Sequence, residues 1–374
     1  MTFPTMSFVF KKIFLITSEF PPLPGGIGNH AFNLANQLSL KGYQVTVCTD
    51  QRSENLQDDI KFDNNLSFFV KRIKRYNLVL FTYLIRLFVC FTETREKDTI
   101  LLSGKFSLWI GAILKFFFLK KKFIAILHGS ELFAGNKFQR NFTKWSLRQL
   151  DSLIAVSNFT KEMALQLESS LSIEVINNGF SSISSNDNKV QTLVGFPKLV
   201  TVGNVTQRKG QQNIIKTLPN LRKVYPKIHY HIVGLPTQKK DFQKLAEELK
   251  VSDLITFHGA VSSNQLNSIL EGSDIFVMLS QKLLNGDFEG FGIAILEANA
   301  LGIPSIGSSD SGIADAILDK FSGRLVMPND VTDISNAVTD IMGNYEQYSS
   351  NAKKWSKQFE WDVVIDKYLQ LIEK

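Results

Sequence analysis

Glu289 and Glu297, with seven residues between them, frame the part of this 374-residue chain with the most chemistry in it. From Asp274 to Gly307 the stretch reads DIFVMLSQKLLNGDFEGFGIAILEANALGIPSIG. Its apolar opening, Ile275 to Leu279, predicts a buried strand. A loop through Asn285, Gly286 and Asp287 leads to Glu289, Gly290, Phe291 and Gly292. Ile293 to Ala300 then predict a helix with two glycines in its first turn, stopped by Gly302 and Pro304. Free N–H groups at a helix start bind anions, and glycine lets a ligand approach the backbone closely. A carboxylate just ahead of such a start, and a second two turns further in, suit a molecule carrying phosphate and hydroxyls together. An ordinary parallel-sheet crossover, with Glu289 solvated and Glu297 on the surface, has the same letters. Other residues must decide.

Three further groups bear on the choice. Arg208 and Lys209 lie in the loop Asn204 to Gly210 (NVTQRKG), directly after an apolar run, Lys198 to Gly203. At the carboxyl end of a strand two cations could neutralise a diphosphate, although a solvated basic loop looks the same. His128 follows the run Phe123 to Leu127 in His128-Gly129-Ser130-Glu131, where an α/β sheet binds ligands. A lone histidine is also an ordinary structural hydrogen-bonder. Gly25-Gly26-Ile27-Gly28 lies between a Pro-rich loop and the helix Asn29 to Leu40, either as a bare tight turn or as a loop on phosphate or sugar. It is not a GxGxxG dinucleotide fingerprint.

These groups need a scaffold of parallel strands, and the chain supplies one. Lys12 to Thr17, Tyr43 to Thr49, Phe123 to Leu127, Ser152 to Ser157 and Ile173 to Gly179 read as strands of a first doubly wound domain. A capped helix is expected over Asn158 to Leu167. Ser181 to Lys189 is polar and poor in apolar residues, as a linker is. The alternation then restarts with strands at Lys198 to Gly203, His229 to Gly234, Leu254 to Gly259, Ile275 to Leu279 and Gly323 to Pro328, and a helix at Lys239 to Lys250. The length also asks for two domains. The expected division is 1–185 and 186–354, with 355–374 returning to the first.

Charge is uneven. Residues 1–185 hold 22 Lys and Arg against 14 Asp and Glu, and residues 186–374 hold 20 against 21. A basic half suggests an anionic partner. Lys71 to Arg75 (KRIKR) precedes the apolar run Tyr76 to Phe91, and a second apolar helix, Leu108 to Leu119, ends in three lysines. Neither run reaches the ~20 apolar residues that span a bilayer. They are either buried crossover helices with lysine-rich ends or a basic, aromatic face resting on anionic lipid. Cys48 and Cys90 lie in apolar runs and imply buried thiols, and no His/Cys cluster has zinc spacing. The first residues lack the pattern of a secretory leader, which points to the cytoplasm.

In this order the motifs resemble the family 4 retaining glycosyltransferases of GT-B fold: GGIG (Gly25 to Gly28), HGSE (His128 to Glu131), AVSNFT, VINNG (Val175 to Gly179), VGNVTQRKG (Val202 to Gly210), the Glu289–Glu297 pair around Phe291-Gly292, and SGIAD (Ser311 to Asp315). The resemblance implies two Rossmann-like domains facing across a cleft, the first for the acceptor and the second for a nucleotide-sugar. It implies transfer of a hexose-type sugar to an acceptor hydroxyl with retained configuration. It assigns Lys209 to the diphosphate and Glu297 to the ribose. Glu289 and the backbone of Phe291, Gly292 and Ile293 go to the donor sugar, as does His128, while Gly26 to Gly28 lie near the phosphates. Phe359 and Trp361 are expected on the segment returning to the first domain. Many members carry arginine where this chain has Asn204, so Arg208 is expected to supply that charge. Asp315 stands where glutamate is common.

The expected partners are therefore a nucleotide-sugar, a lipid-linked or saccharide acceptor and an anionic membrane surface, with no nucleic acid. No cofactor or metal is expected, in keeping with the lack of an Asp-x-Asp motif. The expected place is the cytoplasm, peripheral on the inner face of the membrane. Two other readings are an epimerase- or dehydrogenase-like enzyme on paired Rossmann domains, and a sugar-nucleotide binding protein without catalysis.

Overall fold

A computed structural model describes residues 11–53, 55–132, 135–181, 192–283 and 286–374. The chain divides into two compact units, the first of Met1–Val156, Thr160–Ile176 and Ile365–Lys374, the second of Ser157–Phe159 and Asn177–Val364. The expected linker from Ser182 onward, and the 185/186 boundary within it, lie outside the described residues.

In chain order the first unit is built on β1 (Lys12–Thr17), α1 (Gly26–Leu40), β2 (Gln44–Asp50), α2 (Leu56–Asp63), β3 (Phe69–Ile73), α3 (Val79–Thr94), β4 (Thr99–Ser103), α4 (Lys105–Phe117), β5 (Lys122–Leu127), α5 (Lys137–Gln149), β6 (Ser152–Ala155), α6 (Asn158–Leu167) and β7 (Ile173–Val175). Its seven strands are parallel in the order β3-β2-β1-β4-β5-β6-β7. Buried on both faces, the central strands are near-continuous apolar runs such as Ile13 to Ile16. On α1 the residues Ala31, Leu34, Ala35 and Leu38 recur at helical spacing and are fully buried. Each such leucine contributes roughly 1.5–3 kcal/mol. Cys48 and Cys90 are free thiols in this core.

At three places the structure adds to or corrects the reading of the sequence. Gly26 and Gly28 are not a turn ahead of α1 but part of its first turn. Of the basic run Lys71 to Arg75, Lys71, Arg72 and Ile73 belong to edge strand β3. Three of its four cations are held inside the first unit, Lys71 by Glu93, Arg72 by Asp59 and Asp63, and Arg75 by Asp50. The central strand β4 was not expected, although Asp98 and Gly104 bound its short apolar run.

The second unit continues with β8 (Lys198–Val202), α7 (Gln211–Val224), β9 (His229–Val233), α8 (Lys239–Glu248), β10 (Ile255–Gly259), α9 (Ser263–Glu271), β11 (Ile275–Met278), α10 (Ile293–Ala300), β12 (Ser305–Ser308), β13 (Gly323–Val326), α11 (Val331–Gly343), α12 (Tyr345–Ser356) and α13 (Trp361–Glu373). Its parallel sheet runs β10-β9-β8-β11-β12-β13. Local capping fixes several helix starts, with a full Ser262–Gln265 capping box on α9 and Asp330 accepting two backbone N–H groups on α11. Phe359 packs on Phe291 and Trp361 on Gly179, all within the second unit. The residues belonging to the first unit begin at Ile365.

In each sheet the strand order reverses once, between β1 and β4 and between β8 and β11. Loops leaving the carboxyl ends of such neighbours diverge and open a crevice, where α/β sheets take ligands.

Candidate active site

The loops after β8 and β11 flank the second unit's reversal point, so residues far apart in sequence meet there. Arg208 and Lys209 form a single 3₁₀ turn after β8. Gly210 closes it with φ 76°, and a side chain there would collide with the Leu279 carbonyl at 1.8 Å. Glycine is therefore required both for the turn and for its closeness to the exit of β11. The Gln281 N–H donates to the Arg208 carbonyl at 3.0 Å and fastens the two loops together.

Across this junction Lys209 Nζ lies 2.8 Å from Glu289 Oε2, Arg208 Nη1 donates to the same oxygen, and Arg208 Nε lies 3.3 Å from Asp287. Burial pushes the Glu289 carboxyl up, but Lys209 and then Arg208 outweigh it and hold the group below the usual carboxylate range. The Glu289 backbone is held as well. The Gly312 N–H donates to its carbonyl at 3.0 Å, and a side chain at Gly312 would meet the Gly290 carbonyl at 2.1 Å. Gly312 begins the SGIAD turn, whose Asp315 accepts from the Asn158 backbone at 2.7 Å and from the Asn177 amide at 3.2 Å. The AVSNFT and VINNG motifs thus serve to place this turn.

Glu289 precedes α10 as expected, whereas both glycines also precede it instead of lying in its first turn; Gly292 is its cap and Ile293 its first residue. Phe291 is buried. Glu297 is half-buried inside the helix, and burial raises its carboxyl. No hydrogen bond or ion pair holds that carboxyl among the described residues. Asn204 is exposed, with its carbonyl taken by Gln211. Asn285 lies outside the described residues.

The first unit has its own cluster. His128 leaves β5 and Ser103 ends the neighbouring β4, which puts Ser103 Oγ 3.0 Å from His128 Nε2. Glu131, fully buried, accepts the His128 backbone N–H, and burial raises its carboxyl against the pull of nearby backbone N–H groups. The His30 ring, from α1, meets the His128 ring edge-on at 4.9 Å, and His30 Nε2 lies 3.0 Å from the Tyr368 hydroxyl of α13. Burial lowers His128 to about 4 and, together with His128, holds His30 well below its ordinary value. Both imidazoles are neutral near pH 7.

The structure therefore unites Arg208, Lys209 and Glu289, sets Phe291, Gly292, Ile293 and Glu297 on the adjoining segment, and places Gly26, Gly28 and His128 in the other unit. Sequence reasoning missed Ser103, His30, Tyr368, Gly210 and Gln281 as site-building residues. Of these only Gly210, next to the basic pair, had a local signal. Among the described residues no three His, Cys, Asp or Glu side chains converge as metal ligands would.

Comparison with known proteins accords with this geometry. The profile of the family described as Glycosyltransferase Family 4 matches residues 24–182, and that described as Glycosyl transferases group 1 matches residues 183–357. The GDP-mannose-dependent alpha-(1-6)-phosphatidylinositol monomannoside mannosyltransferase of Mycobacterium tuberculosis is 23% identical over 382 residues, 96% of this chain and 97% of that protein. The glycogen synthase of the same organism is 23% identical over 387 residues, 94% and 92% of the two chains. In fold, the Anabaena protein HepE solved with UDP and glucose aligns with a TM-score of 0.76 at 17% identity, over 97% of this chain and 99% of that one. The two parallel-sheet units have the GT-B fold, and the two profiles, which together span residues 24–357, make the chain a glycosyltransferase. The chain belongs to family 4 of those enzymes, and the nicotinamide-dependent alternative is set aside.

Proposed function

We propose that this glycosyltransferase moves a hexose-type sugar from a nucleotide-sugar to an acceptor hydroxyl, with retained configuration and without a metal ion. The acceptor belongs to lipid-linked or cell-surface polysaccharide synthesis, and the enzyme works in the cytoplasm on the inner face of the membrane. The observation that carries this reading is the convergence of Arg208, Lys209 and Glu289 just ahead of α10. Breaking a glycosidic bond to a diphosphate separates charge into an oxocarbenium-like sugar and an anionic leaving group. Fixed cations and helix-start N–H groups stabilise that leaving group without reorganising. Glu297, with an unclaimed carboxyl, serves the ribose hydroxyls. Neutral His128 serves as a hydrogen-bonding partner of substrate, not as an acid. The leaving phosphate takes the acceptor's proton, so the two glutamates need not act as the carboxylate pair of a hydrolase. The donor named for the mannosyltransferase relative and the UDP and glucose of the Anabaena structure support an activated sugar as donor.

The test is nucleotide release across UDP- and GDP-sugars with purified protein, with and without chelator. One donor should be consumed, chelator should leave the rate unchanged, and Lys209→Ala should lower it by about 10²–10³-fold. Undiminished turnover in Lys209→Ala would refute the assignment.

A further inference from the structure

Helix α3 is apolar on its outer side as well as toward the core. Thr82, Arg86, Cys90 and Thr94 recur every fourth residue on its inward face and are buried, Arg86 against Asp50. Leu80, Phe81, Leu84 and Phe88 face outward and are 66%, 47%, 56% and 69% exposed. A helix in water turns its apolar stripe inward; this one packs Ile85, Leu87, Val89 and Phe91 on the core and still presents a second apolar set outward. The neighbouring helices extend the same surface. Phe116, Phe117 and Leu119 are exposed at the end of α4, and Phe138 and Trp145 on α5.

A row of rings joins the three helices. Tyr83 to Phe106, Phe106 to Trp109, Trp109 to Phe142 and Phe142 to Trp145 stand at 5.2, 6.1, 5.4 and 5.3 Å between centroids. Charge on these helices has one sign. Together α3, α4 and α5 carry seven lysines and arginines and one acid, Glu93, which pairs with Lys71, while Arg86, Lys115, Lys144 and Arg148 pair with Asp50, Asp151 and Glu168 of the same unit. Lys137 and Arg140, exposed on α5, form no ion pair among the described residues. Lys137 and Arg140 are thus the cations of α5 left for an anionic partner.

We infer that the outer face of α3, α4 and α5 docks on an anionic lipid bilayer, with Leu84, Phe88 and Trp145 entering the headgroup boundary and Lys137 and Arg140 on the phosphates. Exposed aromatic and aliphatic side chains beside unpaired cations are the composition of interfacial helices. Self-pairing of the face across a two-fold axis would set like charges together. No helix among the described residues is long and apolar enough to cross a membrane, and docking requires none. A lipid-linked acceptor, as proposed above, gives a reason for such docking, yet vesicle binding is read without any sugar transfer.

The full chain is sedimented with vesicles of phosphatidylcholine, alone or mixed with phosphatidylglycerol, at low and high salt. The wild type should pellet with the anionic vesicles at low salt, with a blue shift in Trp145 emission that Trp145→Phe removes. The double variant K137Q/R140Q should lower the partition coefficient by about 30-fold, the effect of two surface cations. L84S/F88S should lower it by at least about tenfold. All these positions are exposed, and donor consumption without vesicles verifies that the variants are folded. Wild-type protein left in the supernatant of both vesicles at low salt overturns the inference. So does unchanged binding of both double variants. A dimer that forms without lipid and is lost in L84S/F88S overturns it in favour of self-association.

Discussion

The two units place their site residues by the same topological device and fill it with opposite electrostatics. At the second unit's reversal point the contacts are ionic: Arg208 and Lys209 against Glu289 and Asp287. In the first, the side chains that meet the His128 ring are neutral, Ser103, His30 and, one step behind, Tyr368, while the Glu131 carboxyl is taken up by the His128 backbone. The difference suits a division of labour. Charge develops on a leaving diphosphate, so cations belong beside it, and a low-dielectric pocket makes them effective. A sugar hydroxyl carries no charge, and hydrogen-bonding groups of fixed protonation orient it without drawing in counter-ions or water.

The comparison breaks most visibly at Glu289. Its carboxylate sits on the cations to which the proposed function gives the diphosphate, and on that proposal it is a built-in anion that an incoming phosphate displaces. Glu289→Gln keeps the shape and removes the charge. Calorimetry with UDP or GDP should then find binding tighter by about tenfold, or ~1.4 kcal/mol, while turnover of the donor falls by about 10²-fold or more. The two effects have opposite signs, which a merely damaged site cannot imitate. Weaker nucleoside diphosphate binding in the variant would end the idea that Glu289 and phosphate compete.

How much of this could be read in the letters depended on whether the signal was local. The strand Lys12–Thr17 and the helices Asn158–Leu167 and Ile293–Ala300 fall where apolar runs, caps and stop residues put them. The RKG loop and the Glu289 segment were both visible as candidates. That they touch was not, because their meeting is a property of strand order and of Gly210 and Gly312 against distant carbonyls. The run Lys71 to Arg75 misled for the same reason. Its charge is plain in the sequence, whereas the acids neutralising it come from β2, α2 and α3. His30 and Tyr368 are 338 positions apart, and neither bears a motif that predicts their contact.

Acid titration sharpens the contrast from the neutral side. His128 is lowered in the fold to about 4 from its ordinary value near 6.5, chiefly by burial, and His30 is lowered too. The unfolded chain therefore takes up protons that the folded one refuses. Stability is full above pH 6.5 and is lost as pH falls from there toward 4. The His128 share is on the order of 2 kcal/mol after allowance for its partial exposure. Thermal midpoints measured across this window should fall with a slope that is shallower in His128→Asn. An identical slope in that variant would mean that the imidazole is already charged in the fold.

The smallest expected effect asks whether the neutral cluster is positioned from behind. Tyr368→Phe removes one buried hydroxyl from His30 and leaves the ring in the core. The loss of a single neutral hydrogen bond costs about 1 kcal/mol of stability. If Tyr368 only fills space, turnover should follow the wild type once the protein is folded. If its hydroxyl fixes the His30 ring, and that ring fixes the edge of His128, kcat should drop by a few-fold with KM for the donor unchanged. His30→Phe should then cost more, since it replaces the ring that meets His128 at 4.9 Å. Loss confined to KM in both variants would instead make the Tyr368–His30 pair part of substrate binding, and wild-type kinetics in both would leave them as packing alone.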